Sequence, residues 1–203
     1  MNLLLTTGGT REPIDAVRYL GNRSSGRMGA AICAAGRAAG HRVTALVAPC
    51  QVRPEADEAH DVESVADLRA ALAEHFPRCD VLVMAEAVSD YTPVVVGAGK
   101  LRRGGTMTLE LEATPDLVAE CGAAKRGDQR VVAFSLDEPT DAALQRAGGK
   151  LRRKNVDLLV YNPLVTMGGG DVTATILRPG VGPEPWPTMD KRAFADRLIA
   201  TLA

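Results

Sequence analysis

The fold is decided by residues 3–47, which read LLLTTGGTREPIDAVRYLGNRSSGRMGAAICAAGRAAGHRVTALV. A continuous apolar run over residues 3–7 predicts a buried strand. Helical spacing of apolar residues over residues 24–40 predicts a helix, and residues 41–47 predict a second buried strand. Strand, helix and strand in this order are the unit from which parallel sheets are built. We therefore expect an α/β fold.

The same alternation continues along the rest of the chain. Apolar runs predict further strands over residues 81–84, 131–134 and 158–161. A helical stripe predicts a helix over residues 62–76 with Asp61 as its cap, and a final helix follows Asp190. The predicted architecture is a Rossmann-like, doubly wound, mainly parallel sheet covered on both faces. We expect a single domain that spans residues 1–203.

Several stretches interrupt this rhythm. Residues 91–105, YTPVVVGAGKLRRGG, are rich in glycine and cations and predict a mobile flap. Residues 106–111, TMTLEL, alternate polar and apolar side chains and predict a half-exposed strand. Together they suggest a flap and dimerisation arm at about residues 91–113. Residues 168–171 and 179–187 are rich in Gly and Pro and predict surface loops.

Composition excludes several classes of protein. The chain carries 24 Lys+Arg against 25 Asp+Glu, and only 3% of its residues are aromatic. We therefore expect no nucleic-acid partner and no attraction to a charged membrane. No apolar stretch is long enough to span a bilayer and no signal peptide is evident, which favours the cytoplasm. Scattered cysteines and histidines predict reduced thiols and no zinc site: Cys33, Cys50, Cys79, Cys121, His41, His60 and His75.

The loop after the first predicted strand is the first candidate ligand site, because doubly wound sheets bind ligands at the carboxyl ends of their strands. It contains Gly8 and Gly9, and Ser24, Ser25 and Gly26 stand at the start of the predicted helix. Free backbone N–H groups and the helix dipole would together attract an anion there. The spacing is not GxGxxG, so the ordinary dinucleotide motif is absent. Helix capping and tight packing remain the alternative interpretation.

Charged side chains follow other predicted strands. Asp90 comes after the third strand, where a carboxylate accepts ribose hydroxyls, holds a metal through water, or caps the next segment. Two clusters of cations also stand out: Lys100, Arg102 and Arg103, and Lys150, Arg152, Arg153 and Lys154. Together with the glycine-rich loop, they suggest a polyphosphate ligand. Each cluster taken alone is also typical of a solvated face.

One long block is unusual enough to indicate a family. TTGGTREPIDAVRYLGNRSSGRMG, residues 6–29, resembles the opening signature of phosphopantothenoylcysteine synthetases. The resemblance continues, in order and from end to end, through AVSDY, KLRR, TPDLV, KLRRKNVDLLVYN and PTMDKRAFADRL. In bacteria these synthetases often form the carboxyl-terminal half of a bifunctional flavoprotein. The flavoprotein half is not in this sequence, so we expect a stand-alone form without flavin.

The resemblance implies a two-step ligase of coenzyme A biosynthesis. The carboxylate of 4′-phosphopantothenate attacks the α-phosphorus of a nucleoside triphosphate, CTP rather than ATP in most bacterial members, and pyrophosphate leaves. Cysteine then displaces the nucleotide from the acyl-nucleotide, which is an acyl-cytidylate when CTP is used. Such an enzyme needs Mg2+ and cations around the triphosphate and a closing lid. Family members form homodimers through the flap region.

The resemblance also assigns residues. It implies that Asn22 contacts the acyl-nucleotide and that Lys100 of the flap acts in the second half-reaction. No metal ligand is assigned. The residues expected to bind nucleotide, from the glycine-rich loop and from the resemblance together, are Gly8, Gly9, Ser24, Ser25, Gly26, Asp90, Pro115, Asp116, Leu117, Val118, Phe134, Lys150 and Lys154.

Departures from the family pattern leave other functions open. The chain has Glu86 where a small residue is usual, residues 135–138 read SLDE, Asn162 is followed by Pro163, and residues 168–171 read GGGD. One alternative is a non-catalytic or divergent nucleotide-binding relative with a different acid substrate. Another is a nicotinamide-dependent oxidoreductase, which the missing GxGxxG motif disfavours.

Overall fold

The computed structural model describes residues 1–166 and 169–202. Its strands are β1 (Asn2–Thr7), β2 (Arg11–Pro13), β3 (Tyr19–Gly21), β4 (Arg42–Val47), β5 (Glu58–Asp61), β6 (Val81–Met84), β7 (Tyr91–Pro93), β8 (Leu111–Ala113), β9 (Arg130–Asp137), β10 (Leu158–Pro163), β11 (Asp171–Arg178) and β12 (Val181–Asp190). Its α-helices are α1 (Arg27–Ala38), α2 (Val65–His75), α3 (Leu117–Ala124), α4 (Asp141–Arg153) and α5 (Lys191–Ala200). Within these residues, no helix has both the length and the apolar content to cross a membrane.

Eight of the described strands form one sheet, in the order β12-β11-β10-β9-β6-β1-β4-β5. Neighbours from β10 to β5 pair in parallel, and β11 and β12 are antiparallel to their neighbours at one edge. The chain moves outward from β1 through β4 and β5, then returns to build the other half from β6. This reversal between β1 and β6 confirms the predicted doubly wound, mainly parallel fold.

Helices cover both faces of the sheet because the side chains of a strand alternate between faces. Leu3 and Leu5 of β1 join Ile32 of α1 and Phe194 of α5 in one buried cluster. Leu4 points to the opposite face, where it joins buried residues of α2, α3 and α4. Each such leucine contributes on the order of 1.5–3 kcal/mol when removed from water. This two-sided burial is the physical reason for the continuous apolar strands.

Two predicted helix starts are wrong. The first helix begins at Arg27 rather than at Ser24 or Ser25, since Gly26 adopts a left-handed conformation with φ of 76°. The second helix is capped by Ser64 rather than by Asp61, which ends β5. Ser64 is the N-cap because it forms a reciprocal capping box with the third helical residue. The predicted Asp190 cap of the last helix is confirmed by its bond from the Ala193 N–H.

The prediction of a strand over residues 106–111 is wrong. Only Leu111–Ala113 is a strand, and it pairs antiparallel with Tyr91–Pro93 outside the main sheet. Residues 94–110 lie between the two short strands, and every residue from 100 to 111 is exposed. Among the described residues, no strand pairs with residues 106–110, so their alternation of polar and apolar side chains does not produce a strand. We call residues 91–113 the flap.

The predicted surface loop over residues 179–187 is also wrong, because most of it belongs to β12. This strand forms the edge of the sheet, where prolines are tolerated since one side of the strand is unpaired. Trp186 of β12 is buried against Phe194, with ring centroids 5.3 Å apart. Of the other predicted loop, Gly168 lies outside the described residues and Asp171 begins β11.

The four cysteines are free, as expected. The three histidines lie far apart in the sequence, but the fold brings two of them together. The rings of His60 and His75 adjoin, with centroids 4.1 Å apart, because α2 brings its last residue against β5.

Candidate active site

A crevice of about 1320 Å³ lies at the carboxyl ends of the strands around the reversal between β1 and β6. This is the edge where a doubly wound sheet binds its ligands. Twelve residues predicted to form the site line the crevice: Asn22, Ser24, Ser25, Gly26, Asp90, Pro115, Asp116, Leu117, Val118, Phe134, Lys150 and Lys154. Gly8, Gly9 and Lys100 are not among its lining residues.

The N-terminus of α1 opens into this crevice without a side-chain cap. Neither serine bonds the first turn, which also contains no acidic residue. The carbonyl of Ser25 instead accepts the N–H groups of Gln51 and Val52 at 3.2 and 3.0 Å. A side chain at Gly26 would lie 2.7 Å from the Cβ of Cys50, so glycine is required there. The unpaired N–H groups and the helix dipole make this end of α1 suited to an anion.

The other two glycines serve the packing of the loops. Gly8 has φ of 96°, and a Cβ on it would lie 2.3 Å from the carbonyl oxygen of Ala48. Gly9 forms a backbone bridge with Ala87 and donates its N–H to the carbonyl of Pro49 at 3.2 Å. They hold the loops after β1, β4 and β6 together beside the crevice, and their contact with nucleotide stays a prediction.

Lys150 and Lys154 both line the crevice, because four residues bring side chains to the same face of a helix end. The ammonium group of Lys150 lies 3.1 Å from the hydroxyl oxygen of Ser135 at the end of β9. That of Lys154 lies 2.9 Å from the carboxylate of Asp116, the N-cap of α3. The other cations of the two predicted clusters are exposed and do not line the crevice: Lys100, Arg102, Arg103, Arg152 and Arg153.

The middle of the flap is anchored next to Lys100. The buried carboxylate of Asp15 accepts the N–H of Leu101 at 3.0 Å and those of Val17 and Arg18 at 2.8 Å. Its ion pair with the Arg18 guanidinium holds the pKa of Asp15 well below its usual range. Arg18 also donates to the carbonyl of Leu101 at 2.8 Å. The anchor joins residues more than eighty positions apart, and sequence reasoning missed it.

Hydrogen bonds orient the polar groups at the mouth of the crevice. Asn22 is exposed, and its amide nitrogen donates to the carbonyl of Val88 at 2.8 Å. The hydroxyl of Thr114 donates to the carbonyl of Ser89 at 2.6 Å, and its N–H donates to that of Asp90 at 3.0 Å. These bonds tie the loop after β6 to the loop that begins α3. Asn22 and Asp90 therefore project from interconnected backbone.

Two apolar residues of the predicted site also belong to the core. Phe134 is half-buried and meets Phe194 edge-on, with ring centroids 6.4 Å apart. Leu117 packs its side chain into the cluster of α2, α3 and α4, so it offers the crevice mainly backbone.

Comparison with known proteins decides the family. Residues 1–203 match the family model described as the DNA/pantothenate metabolism flavoprotein C-terminal domain. The chain belongs to this family. The predicted resemblance to phosphopantothenoylcysteine synthetases is confirmed at this level.

The relatives include several proteins of known name. The chain is 41% identical over 171 residues to the coenzyme A biosynthesis bifunctional protein CoaBC of Mycobacterium tuberculosis H37Rv, covering 79% of the chain and 41% of that protein. It is 40% identical over 171 residues to a prokaryotic cysteine/cysteine sulfinic acid decarboxylase, covering 83% of the chain and 47% of that protein. The chain thus spans less than half the length of these curated relatives.

A solved structure covers nearly the whole fold. The crystal structure of the C-terminal domain of CoaBC superposes with a TM-score of 0.84 at 29% identity, covering 99% of this chain and 93% of that one. A pneumococcal DNA/pantothenate metabolism flavoprotein superposes with a TM-score of 0.87 at 23% identity, which shows the shared fold.

Glu86 is a further residue that lines the crevice. Both of its carboxylate oxygens are buried, and neither has a hydrogen-bond partner among the described residues. Burial raises the pKa of Glu86 to about 8, and the neighbouring Thr6 hydroxyl acts in the opposite direction by lowering that pKa. Glu86 is therefore mostly protonated at neutral pH. The sequence indicated an unusual carboxyl here, and its protonation follows only from the fold.

Lys191 is a crevice residue that sequence reasoning missed. It is the first residue of α5, lines the crevice and donates to the carbonyl of Gly169. Burial, followed by the positive charge of Arg27, lowers the pKa of Lys191. Its position directly after the Asp190 cap was visible in the sequence, but nothing local placed it beside α1.

Proposed function

We propose that this chain is a phosphopantothenate–cysteine ligase that acts through an acyl-nucleotide, with CTP as the preferred nucleotide. One observation carries the proposal. The uncapped N-terminus of α1 and two lysines of α4 open into a single crevice of a domain that belongs to this family. The coenzyme A biosynthesis proteins among its relatives supply the substrate class.

The triphosphate would lie between α1 and α4. The first-turn N–H groups of α1 donate to phosphate oxygens, and the dipole favours their negative charge. Lys150 and Lys154 move from Ser135 and Asp116 to phosphate oxygens, as flexible ammonium groups can. Neither lysine is fully exposed, so water screens their charges less than those on an open surface.

The first step joins the acid to the nucleotide. The carboxylate of 4′-phosphopantothenate attacks the α-phosphorus, an O–P bond forms, and the bond to pyrophosphate breaks. One N–H of the Asn22 side-chain amide donates to the carbonyl of Val88, and this hydrogen bond holds the amide in place. The second N–H of the same amide is positioned to donate to a phosphoryl or acyl oxygen as charge develops on it.

The second step forms the amide. The amine of cysteine attacks the acyl carbon, the nucleoside monophosphate leaves with the electron pair of the acyl–oxygen bond, and the nitrogen loses a proton. Lys100 acts in this step when the flap closes, and the neighbouring Leu101 is held to Asp15. Exclusion of water by the flap protects the acyl-nucleotide from hydrolysis.

The crevice suits Mg2+ through Asp90 and the phosphates. Mg2+ usually takes one or two carboxylates, substrate phosphate oxygens and waters. Asp90 presents an exposed carboxylate at the crevice, whereas that of Asp116 is engaged by Lys154. Mg2+ supplies charge neutralisation for the triphosphate.

The flap supports a homodimer as the working form. It exposes apolar side chains that a second copy would cover: Val94, Val95, Val96, Met107, Leu109 and Leu111. We assign the working protein to the cytoplasm, where its small-molecule substrates occur, without nucleic-acid or membrane partners.

The test measures the two half-reactions separately. The protein is incubated with 4′-phosphopantothenate, Mg2+ and each of the four ribonucleoside triphosphates, and pyrophosphate is quantified before and after cysteine is added. We expect release with CTP above ATP, and formation of the amide only with cysteine. No pyrophosphate release with any nucleotide would defeat the proposal, and nucleotide binding without release would favour the non-catalytic, nucleotide-binding relative.

A further inference from the structure

A cluster of metal-ligating groups lies on the outer side of the sheet, away from the crevice. Glu58 and His60 stand two residues apart on the edge strand β5 and so share a face, and His75 reaches them from the end of α2. The Glu58 carboxylate lies 2.9 Å from Nε2 of His60. One ligand atom from each of the three residues lies within 4.8 Å of the others.

The surroundings favour a cation over an empty cluster. His75 is the last residue of α2, where the negative end of the helix dipole stabilises positive charge. A second carboxylate, that of Glu74, lies 3.9 Å from Nε2 of His75. Two nearby positive charges disfavour a cation: Arg42, 3.6 Å from Glu58, and Arg78, 3.3 Å from Nδ1 of His75.

The state of His75 suits a ligand. It is buried, and its ring adjoins that of His60, with centroids 4.1 Å apart. Neutral imidazole is the form that binds metals. Two adjoining imidazoles can each donate a lone pair to one ion.

We propose that Glu58, His60 and His75 bind one divalent transition-metal ion of the zinc class, with a water in the remaining position. Two imidazoles and one carboxylate suit Zn2+, Co2+ or Ni2+ rather than Mg2+ or Ca2+. His60 and His75 also line a cavity of about 780 Å³, which gives the ion access and room for the water. That cavity shares no lining residue with the crevice, so this site is independent of the ligase proposal.

The chain offers matched controls. His41, the third histidine, is outside the cluster, and Cys50 lines the same cavity with a thiol whose pKa burial raises. The test variants are His60→Gln and Glu58→Gln, both at half-exposed positions. Controls are His41→Gln and Cys50→Ser, and thermal melts establish that each variant folds.

The experiment titrates the purified chain with Zn2+ and with Co2+, using calorimetry for the first and visible absorption of the cobalt complex for the second. We expect one ion per chain, affinity weakened about tenfold or more in His60→Gln and Glu58→Gln, and unchanged affinity in both controls. Arg78→Gln should tighten binding by removing a repelling charge. The proposal is overturned if no stoichiometric binding occurs, if folded His60→Gln binds as the wild type does, or if Cys50→Ser abolishes binding.

Discussion

The ammonium group of Lys154 lies 2.9 Å from the carboxylate of Asp116, across the part of the crevice where α4 meets the start of α3. One lysine thus has two possible partners, the aspartate in the free protein and phosphate in the complex. The pair links the charge of the site to the cap of a helix, because Asp116 also accepts the N–H of Ala119 at 3.1 Å.

Replacing Lys154 with Gln should weaken triphosphate binding about tenfold or more, since a charge-assisted hydrogen bond is lost. The measurement is the Kd for CTP in the presence of Mg2+. Arg153→Gln is the matched control, because it removes a positive charge from the same helix at an exposed position outside the crevice. Equal losses in the two variants would mean that only the general charge of α4 matters.

Replacing Asp116 with Asn should have the opposite effect. Asparagine can still cap α3, while Lys154 is released for phosphate, so CTP should bind up to about fivefold more tightly. Asp128→Asn is the control, since this exposed aspartate pairs with Arg126 at 3.2 Å, outside the crevice lining. Weaker binding in Asp116→Asn would indicate that the carboxylate itself contacts nucleotide or metal.

Replacing Asp15 with Asn should loosen the flap. The variant removes the negative charge that pairs with Arg18, and it weakens the hydrogen bond from the Leu101 N–H. Trypsin should therefore cleave after Lys100, Arg102 or Arg103 severalfold faster. The control is Asp57→Asn, whose carboxylate likewise bonds an arginine and a backbone N–H elsewhere in the fold. Equal cleavage rates in Asp15→Asn and wild type would show that the anchor does not restrain the flap.

The same anchor has a defined pH dependence. The pKa of Asp15 is lowered in the folded chain from its ordinary value of 3.8. Its contribution to stability is therefore complete above that value and is lost only as the pH falls below it.

Replacing Glu86 with Gln should stabilise the fold at neutral and alkaline pH. The folded pKa of about 8 lies above the ordinary 4.5, so the folded state binds more protons between these values and stability falls as the pH rises through them. The variant cannot ionise and escapes this loss, which is on the order of a few kcal/mol. Melting temperatures of both proteins should nearly coincide around pH 4.5 and diverge by pH 8. Parallel curves would show that Glu86 ionises normally.

Replacing Lys100 with Gln should slow amide formation more than activation. The lysine is exposed on the flap and does not line the crevice, so the first half-reaction should proceed without it. Pyrophosphate release in the absence of cysteine measures activation, and product formation after cysteine is added measures the second step. Arg102→Gln, two residues along the flap, is the control. An equal loss in both steps would contradict the assigned role.

Much of the scaffold was predictable because its signals are local. The parallel strands are continuous apolar runs, and the Asp190 cap stands directly before its helix. The helix starts at Ser24 or Ser25 and at Asp61 were misplaced because several polar residues compete for each cap, and tertiary contacts of Gly26 and the capping box of Ser64 decide between them. The edge strand β12 was missed since its prolines are acceptable only at an edge, and sheet order is not a local property.

By itself, the sequence determined the alternation of buried strands and helices and the family signature of residues 6–29. Only the tertiary structure decided that Asp15 anchors Leu101, that His60 meets His75 and that Glu86 keeps its proton. The reason is that periodicity and capping act over a few residues, whereas burial and long-range contacts exist only once distant segments have packed.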